Sequence, residues 1–260
     1  MTGEVETAIG EIVRVAAWSL RALDMKFGVA ERAAPIVAWA EAVEGGALAA
    51  LRTKTAQRSN RLPANWHRLV SPYFWRFDAT GRSLLEIGPV AIDLLTLAAR
   101  SGRVGRVDFT NALDLVFLSG VTRLGAKRKI GMIALAPMGT LTLCGRKVSS
   151  VHTYPGLDRP VFEENNFPED GEIENAVLEW NRSEAANEGG ESTFSLLSYP
   201  PRGLSMRRLQ SSLENDAEAK YAFALSHGVQ VRQSDLDYLY QLEVKTWAPT
   251  SERSRKQALY

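Results

Sequence analysis

Cysteine is almost missing. Cys144 is the only one in 260 residues, which excludes an internal disulfide and any multi-cysteine zinc or iron–sulfur site. Histidine is scarce too: His67, His152 and His227 are the full set, and no two are close enough in sequence for a His-x-x-x-His metal pair. An excess of one charge is absent, because 31 lysines and arginines face 30 aspartates and glutamates. No bulk field therefore directs the chain to nucleic acid or to an anionic membrane. The least polar stretch, Met132–Cys144, is 13 residues long and holds Pro137 and Gly139, whereas a membrane-spanning helix needs about 20 apolar residues. The start, Met1-Thr2-Gly3-Glu4-Val5-Glu6, lacks the cationic region of a signal peptide, so the expected location is the cytoplasm. Motifs are missing as well. No Gly-x-Gly-x-x-Gly follows a strand, no Gly-x-x-x-x-Gly-Lys-Ser/Thr loop occurs, and no Gly-x-Ser-x-Gly elbow exposes a serine.

What remains is the composition of an ordinary folded protein, 45% hydrophobic and 23% charged. Val5, Ile9, Ile12, Val13, Ala16, Leu20 and Leu23 recur at helical steps. A second pattern, Ile36, Ala40, Val43 and Ala47, is interrupted by Gly45-Gly46. Together they predict an N-terminal helical hairpin over residues 1–60. From Ser83 onward the reading is strand, helix, strand, helix, strand: Leu84–Ile87, a helix opened by Gly88-Pro89, Val104–Phe109, Leu113–Leu124, and Ile130–Ala136. Such alternation with short links argues for parallel βαβ units. Residues 139–151 add one or two strands. In the acidic stretch Glu163–Glu191, Ala176–Trp180 is expected to pair with Phe194–Ser198. This α/β core covers residues 61–204. Two C-terminal helices over 205–260 follow, one capped by Ser205 and stopped near Gly228, the other opened by Ser234-Asp235-Leu236-Asp237. The predicted fold class is α/β, with a central mostly parallel sheet, the N-terminal hairpin and the C-terminal helices in one unit.

Two regions carry candidate chemistry. Trp66, His67, Arg68, Tyr73, Phe74, Trp75, Arg76 and Phe77 interleave aromatics with arginines. Such a set stacks bases or walls an anionic pocket, and it equally suits aromatic packing on a sheet. The run His152-Thr153-Tyr154-Pro155-Gly156-Leu157-Asp158-Arg159-Pro160 leaves a strand for a turn. There Arg159 would bind a small carboxylate and His152 would move a proton, although a turn bonded to its own backbone uses the same residues. His152, Arg159 and His67 are the candidate catalytic residues. No residue points to a cofactor or a metal, and the acidic stretch lacks the alternating pattern of a calcium loop. His227, before Gly228, reads as a helix-end residue, and Cys144 as a buried thiol.

The stretch Phe27-Gly28-Val29-Ala30-Glu31-Arg32-Ala33-Ala34, with Trp39 and Glu44-Gly45-Gly46-Ala47-Leu48, resembles the opening of an uncharacterised bacterial domain family. That family's genes often lie beside malate/L-lactate dehydrogenase-type oxidoreductases. Its closing pattern is similar to Thr246-Trp247-Ala248-Pro249-Thr250-Ser251-Glu252-Arg253-Ser254-Arg255. Residues 9–150 further resemble a degenerate malate/L-lactate dehydrogenase. Against that family's Ser-His-Gly stands Gly45-Gly46-Ala47, and against its second histidine stands Thr110-Asn111-Ala112. Its Gly-Thr-Asn-Pro cofactor segment has no counterpart beyond Pro137-Met138-Gly139-Thr140.

The resemblance implies an accessory or metabolite-binding protein linked to small organic-acid oxidoreduction, with a malate/L-lactate dehydrogenase-type partner and no dehydrogenase chemistry of its own. The alternative is an enzyme of another reaction type, with acid/base chemistry on a small carboxylate through His152 and Arg159 or through His67. Neither reading involves nucleic acid or a membrane, and the sequence leaves the oligomeric state open.

Overall fold

The computed structural model describes residues 3–54, 67–79, 82–111, 115–135, 141–143, 146–148, 150–153, 160–161, 171–186, 194–199 and 212–247, with backbone alone over the described part of 141–161 and at 54, 126, 174, 181–186, 212–216, 218 and 247. A short strand, β1 (Glu4–Thr7), leads into α1 (Ile9–Ala22). The helical-step residues Ile9, Ile12, Ala16 and Leu20 are buried as their spacing requires. Helix α2 (Phe27–Val43) is apolar on nearly every side, and Ala33, Ala34 and Ile36 through Ala40 are all buried. Pro35 lies within it rather than at its start. Gly45 and Gly46, both at φ +76°, turn the chain into α3 (Ala47–Lys54). Helix α1 packs along α2.

The central sheet begins with the hairpin β2 (His67–Ser71) and β3 (Phe74–Asp78), then α4 (Leu84–Arg100) and β4 (Gly105–Thr110). A 3-10 turn, Leu115–Phe117, precedes α5 (Leu118–Lys127) and β5 (Gly131–Leu135). Next come β6 (Leu141–Leu143), β7 (Arg146–Val148), β8 (Ser150–Thr153), β9 (Pro160–Val161), α6 (Gly171–Ala186) and β10 (Phe194–Tyr199). The seven-stranded order is β2-β3-β4-β10-β5-β8-β9, and only β3–β4 is parallel. The expectation of a mostly parallel sheet is therefore corrected to a mostly antiparallel one. Strands β4 and β5 do run in the same direction, but β10 lies antiparallel between them. Two local readings change as well. Leu84–Ile87 is the first turn of α4, begun by Ser83, whose Oγ accepts from the Leu85 amide at 3.3 Å. Ala176–Trp180 is helical, within α6.

Helices α4 and α5 cover one sheet face, with α2 packed behind them, and α6 covers part of the other at β10. On the first face Phe77, Phe109 and Phe194 form a buried ladder across β3, β4 and β10. Phe109 meets Phe77 edge-on at 5.4 Å and stacks on Phe194 at 4.4 Å. Gly120 lets α5 meet α2 closely, since a Cβ there would lie 2.9 Å from the Ile36 carbonyl oxygen. On the second face Ile173, Val177 and Trp180 of α6 cover Ile133, Leu135, Leu197 and Tyr199.

The chain closes with α7 (Ser212–His227), β11 (Val229–Arg232) and α8 (Gln233–Trp247). Gly228, at φ +85°, stops α7 as expected. Strand β11 pairs antiparallel with β1, and α8 packs on α1, where the Ser19 hydroxyl donates to the Leu239 carbonyl at 2.9 Å. Ser205 lies outside the described residues. Among the described helices none is long and apolar enough to cross a membrane.

Candidate functional site

Alternation along β4 sends Val107 and Phe109 into the helix-covered core and Arg106 and Asp108 to the opposite face. There Arg106 donates two bonds to Asp108, from Nε to Oδ1 at 2.7 Å and from Nη2 to Oδ2 at 2.9 Å. The paired, planar geometry is the strong form of an arginine–carboxylate contact. Asp108 also accepts from the Ser195 hydroxyl of β10 at 2.5 Å. Arg76 Nη2 of β3 stands 3.9 Å away. Arg106, Asp108 and Ser195 are all buried. The Arg106 guanidinium lies 4.7 Å over the Phe74 ring, and Glu179 of α6 reaches it at 3.5 Å. Beside this network opens a cleft of about 470 Å³ between the β2–β3 turn, the start of β4 and α6, lined by Tyr73, Phe74, Arg103, Arg106, Glu172 and Glu179 among others.

A larger cleft of about 880 Å³ lies between the end of α2, α7 and β11. Its walls hold Glu6, Glu41 and Glu44 with Lys220 and His227, a balance that disfavours an organic acid.

The two places where the resemblance puts dehydrogenase histidines are built differently here. Glu41 is buried and accepts from the Leu48 amide at 2.8 Å, holding the Gly45-Gly46 turn and the start of α3. Burial pushes its carboxyl above the ordinary value, while the Leu48, Gly46 and Ala47 amides pull the other way. A carboxyl raised on folding contributes stability below its ordinary range and loses it as pH rises through the raised value. Glu41→Gln should therefore gain stability relative to the parent as pH rises above the ordinary carboxylate range, read by urea unfolding at a series of pH values. At the end of β4, Asn111 adopts φ +57° and its Nδ2 donates to Asp78 Oδ1 at 3.4 Å.

Of the residues singled out by sequence, His67 is exposed on the edge strand β2, its ring edge-on to Phe77 at 6.0 Å. His152 sits on β8, its backbone paired with Ile133 and Val161. Five strand spacings separate β2 from β8, about 24 Å, so the structure does not bring these two histidines together. Arg159 and Cys144 lie outside the described residues. His227 ends α7, stacked on Phe223 at 4.2 Å with Nδ1 3.2 Å from the Phe223 carbonyl oxygen. No group of three or more potential metal ligands occurs among the described residues. Neither Arg106 nor Asp108 was among the residues singled out by sequence, although they form the buried network of this face. The available signal was the Arg-x-Asp step inside an apolar strand.

The fold is that of dehydrogenases acting on small organic acids. Malate dehydrogenase from Pyrococcus horikoshii superposes with a TM-score of 0.63 at 9% identity, covering 96% of this chain and 98% of that one. Malate dehydrogenase from Entamoeba histolytica gives 0.61 at 8% identity, with 95% and 99% covered. Sulfolactate dehydrogenase from Methanocaldococcus jannaschii gives 0.54 at 12% identity, with 94% and 98% covered. No family model matches the chain, and no curated protein does, so the resemblance to an uncharacterised domain family gains no support there.

Such a fold implies a nicotinamide dinucleotide, whose pyrophosphate needs open glycine backbone and free amides at a helix start. Among the described residues no strand-to-helix turn carries the paired glycines of that motif, although Gly10, Gly28 and Gly171, in the first turns of α1, α2 and α6, have open space where a Cβ would lie. A Cβ on Gly88, Gly105, Gly120, Gly125 or Gly131 would meet Val121, Ala98, Ile36, Met132 or Tyr199 within 3 Å, so these glycines are filled by the protein's own packing. The Gly45-Gly46 turn is open, but the Glu41 carboxylate occupies the amides that follow it. The Pro137–Thr140 segment lies outside the described residues.

Proposed function

We propose that this chain binds a small organic acid on a dehydrogenase fold without transferring hydride itself, and serves as an accessory to a malate/L-lactate dehydrogenase-type oxidoreductase. One observation carries the reading. Where the resemblance places the two histidines stand Gly46, in a left-handed turn held by Glu41, and Asn111, bonded to Asp78. Reducing a 2-oxo acid needs a proton donor beside the carbonyl, and neither glycine nor an asparagine amide supplies one.

The test combines NADH absorbance with thermal unfolding, using lactate, malate, sulfolactate and their 2-oxo counterparts. The expected outcome is no NADH oxidation above the protein-free rate. An acid at 100 times its Kd should raise the melting temperature by about 5–10 °C. Steady NADH oxidation would overturn the reading, as would the absence of any shift across the panel.

A further inference from the structure

The face of β2, β3 and β4 away from the helix-covered core carries an arrangement that strand pairing alone does not favour. Arg68 of β2 and Arg76 of β3 are direct cross-strand partners, so their Cβ atoms stand about 4.5–5.5 Å apart on one face, and like charges so opposed destabilise a strand pair. The register partner of Arg76 on β4 is Asp108. That carboxylate is already engaged by both Arg106 bonds and by Ser195, which leaves Arg76 at 3.9 Å. The Arg76 side chain is 40% exposed. Among the described residues neither Arg68 nor Arg103 forms an ion pair with a carboxylate. One step along β3, Phe74 opens into the cleft of about 470 Å³ whose wall includes Arg103.

We propose that this face binds a dianionic organic acid, a dicarboxylate or a phosphorylated carboxylic acid. One anionic group sits between Arg68 and Arg76, and the other is directed along β3 into the cleft toward Arg103. The proposal rests on the organic-acid reading above and assigns it a site and a ligand class. Two guanidinium forks side by side offer the paired donors that a carboxylate or phosphate takes bidentately. Glu172 and Glu179 on the α6 side of the cleft bound the positive region and disfavour an extended polyanion. Arg106, bonded twice to Asp108, lies over the Phe74 ring and is a positioning residue.

Calorimetric titration of malate, a dicarboxylate, and lactate, a monocarboxylate, into the parent, Arg68→Gln and Arg76→Gln tests this. Arg21→Gln on α1, which packs on α2 and α8, serves as the control. The parent should bind malate more tightly than lactate, and each sheet variant should weaken malate about tenfold or more, the control being unchanged. Relief of the like-charge pair should leave the melting temperatures of Arg68→Gln and Arg76→Gln equal to the parent's or higher, which a merely structural role would not do. Parent-like malate binding in both sheet variants would overturn the site and leave the organic-acid reading intact. Failure of the parent to bind either acid would overturn both. Salt-sensitive binding of a single-stranded oligonucleotide in place of malate, lost in the same variants, would overturn the small dianion in favour of nucleic acid.

Discussion

Asp108→Ala should lower the free energy of unfolding by about 3–5 kcal/mol, because removing one partner of a buried ion pair leaves the other charge uncompensated. Arg106 is 7% exposed and gives Asp108 two bonds, while its other carboxylate contact, Glu179, is exposed and 3.5 Å away. The Ser195 hydroxyl, fully buried, would lose its acceptor as well. The double substitution Arg106→Met with Asp108→Leu should recover part of the loss, since an apolar pair of similar volume removes both desolvation costs while the Ser195 hydroxyl stays without its acceptor. Urea unfolding of the single and double variants checks both statements. A single-variant loss below about 1 kcal/mol would place the network in solvent rather than in the sheet.

Phe109→Ala should be comparably damaging, at about 3–5 kcal/mol. Its ring is fully buried, stacked on Phe194 at 4.4 Å and edge-on to Phe77 at 5.4 Å. The three strands it joins are β3, β4 and β10, so the cavity would open at the centre of the sheet, where the packing has least room to collapse. Leu69→Ala is the matched comparison. Leu69 is 63% exposed on β2, and its truncation should fall within about 0.5 kcal/mol of the parent.

Local elements were legible in the sequence where periodicity was strong and ambiguous where apolar runs were short. The spacing of Ile9, Ile12, Ala16 and Leu20 led directly to α1, and Gly228 to the end of α7. Leu84–Ile87 reads as a strand because four apolar-rich residues carry no period. Yet Ser83 and Glu86 have the spacing of a capping box, and that signal outweighs the run. Ile173, Val177 and Trp180 recur at steps of four and three, the face that α6 presents to β5 and β10. The sheet order was beyond local reading. Nothing near β4 or β5 announces that β10, far along the chain, will separate them.

The site divides in the same way. Arg68 and Arg76 stood out as arginines among aromatics, and an anionic ligand was one reading of them. Their opposition across a strand pair is a matter of register, which only the β2–β3 pairing reveals. Arg106 and Asp108 alternate with Val107 and Phe109, a pattern of a two-faced strand. Ser195 and Glu179, which complete the network, come from distant segments. The histidines drew attention because they are few, and the sheet holds His67 and His152 five strands apart.

The central claim is that the chain holds an organic acid and leaves it chemically unchanged. A single saturation-transfer NMR experiment on malate and lactate, with the protein, NAD and hydrazine in one tube so that any 2-oxo acid formed is drawn off as its hydrazone, tests both halves together. The account predicts transfer to malate, weaker transfer to lactate, and no 2-oxo acid accumulating over hours. Growth of the hydrazone signals of oxaloacetate or pyruvate would contradict it, and so would the absence of transfer to either acid.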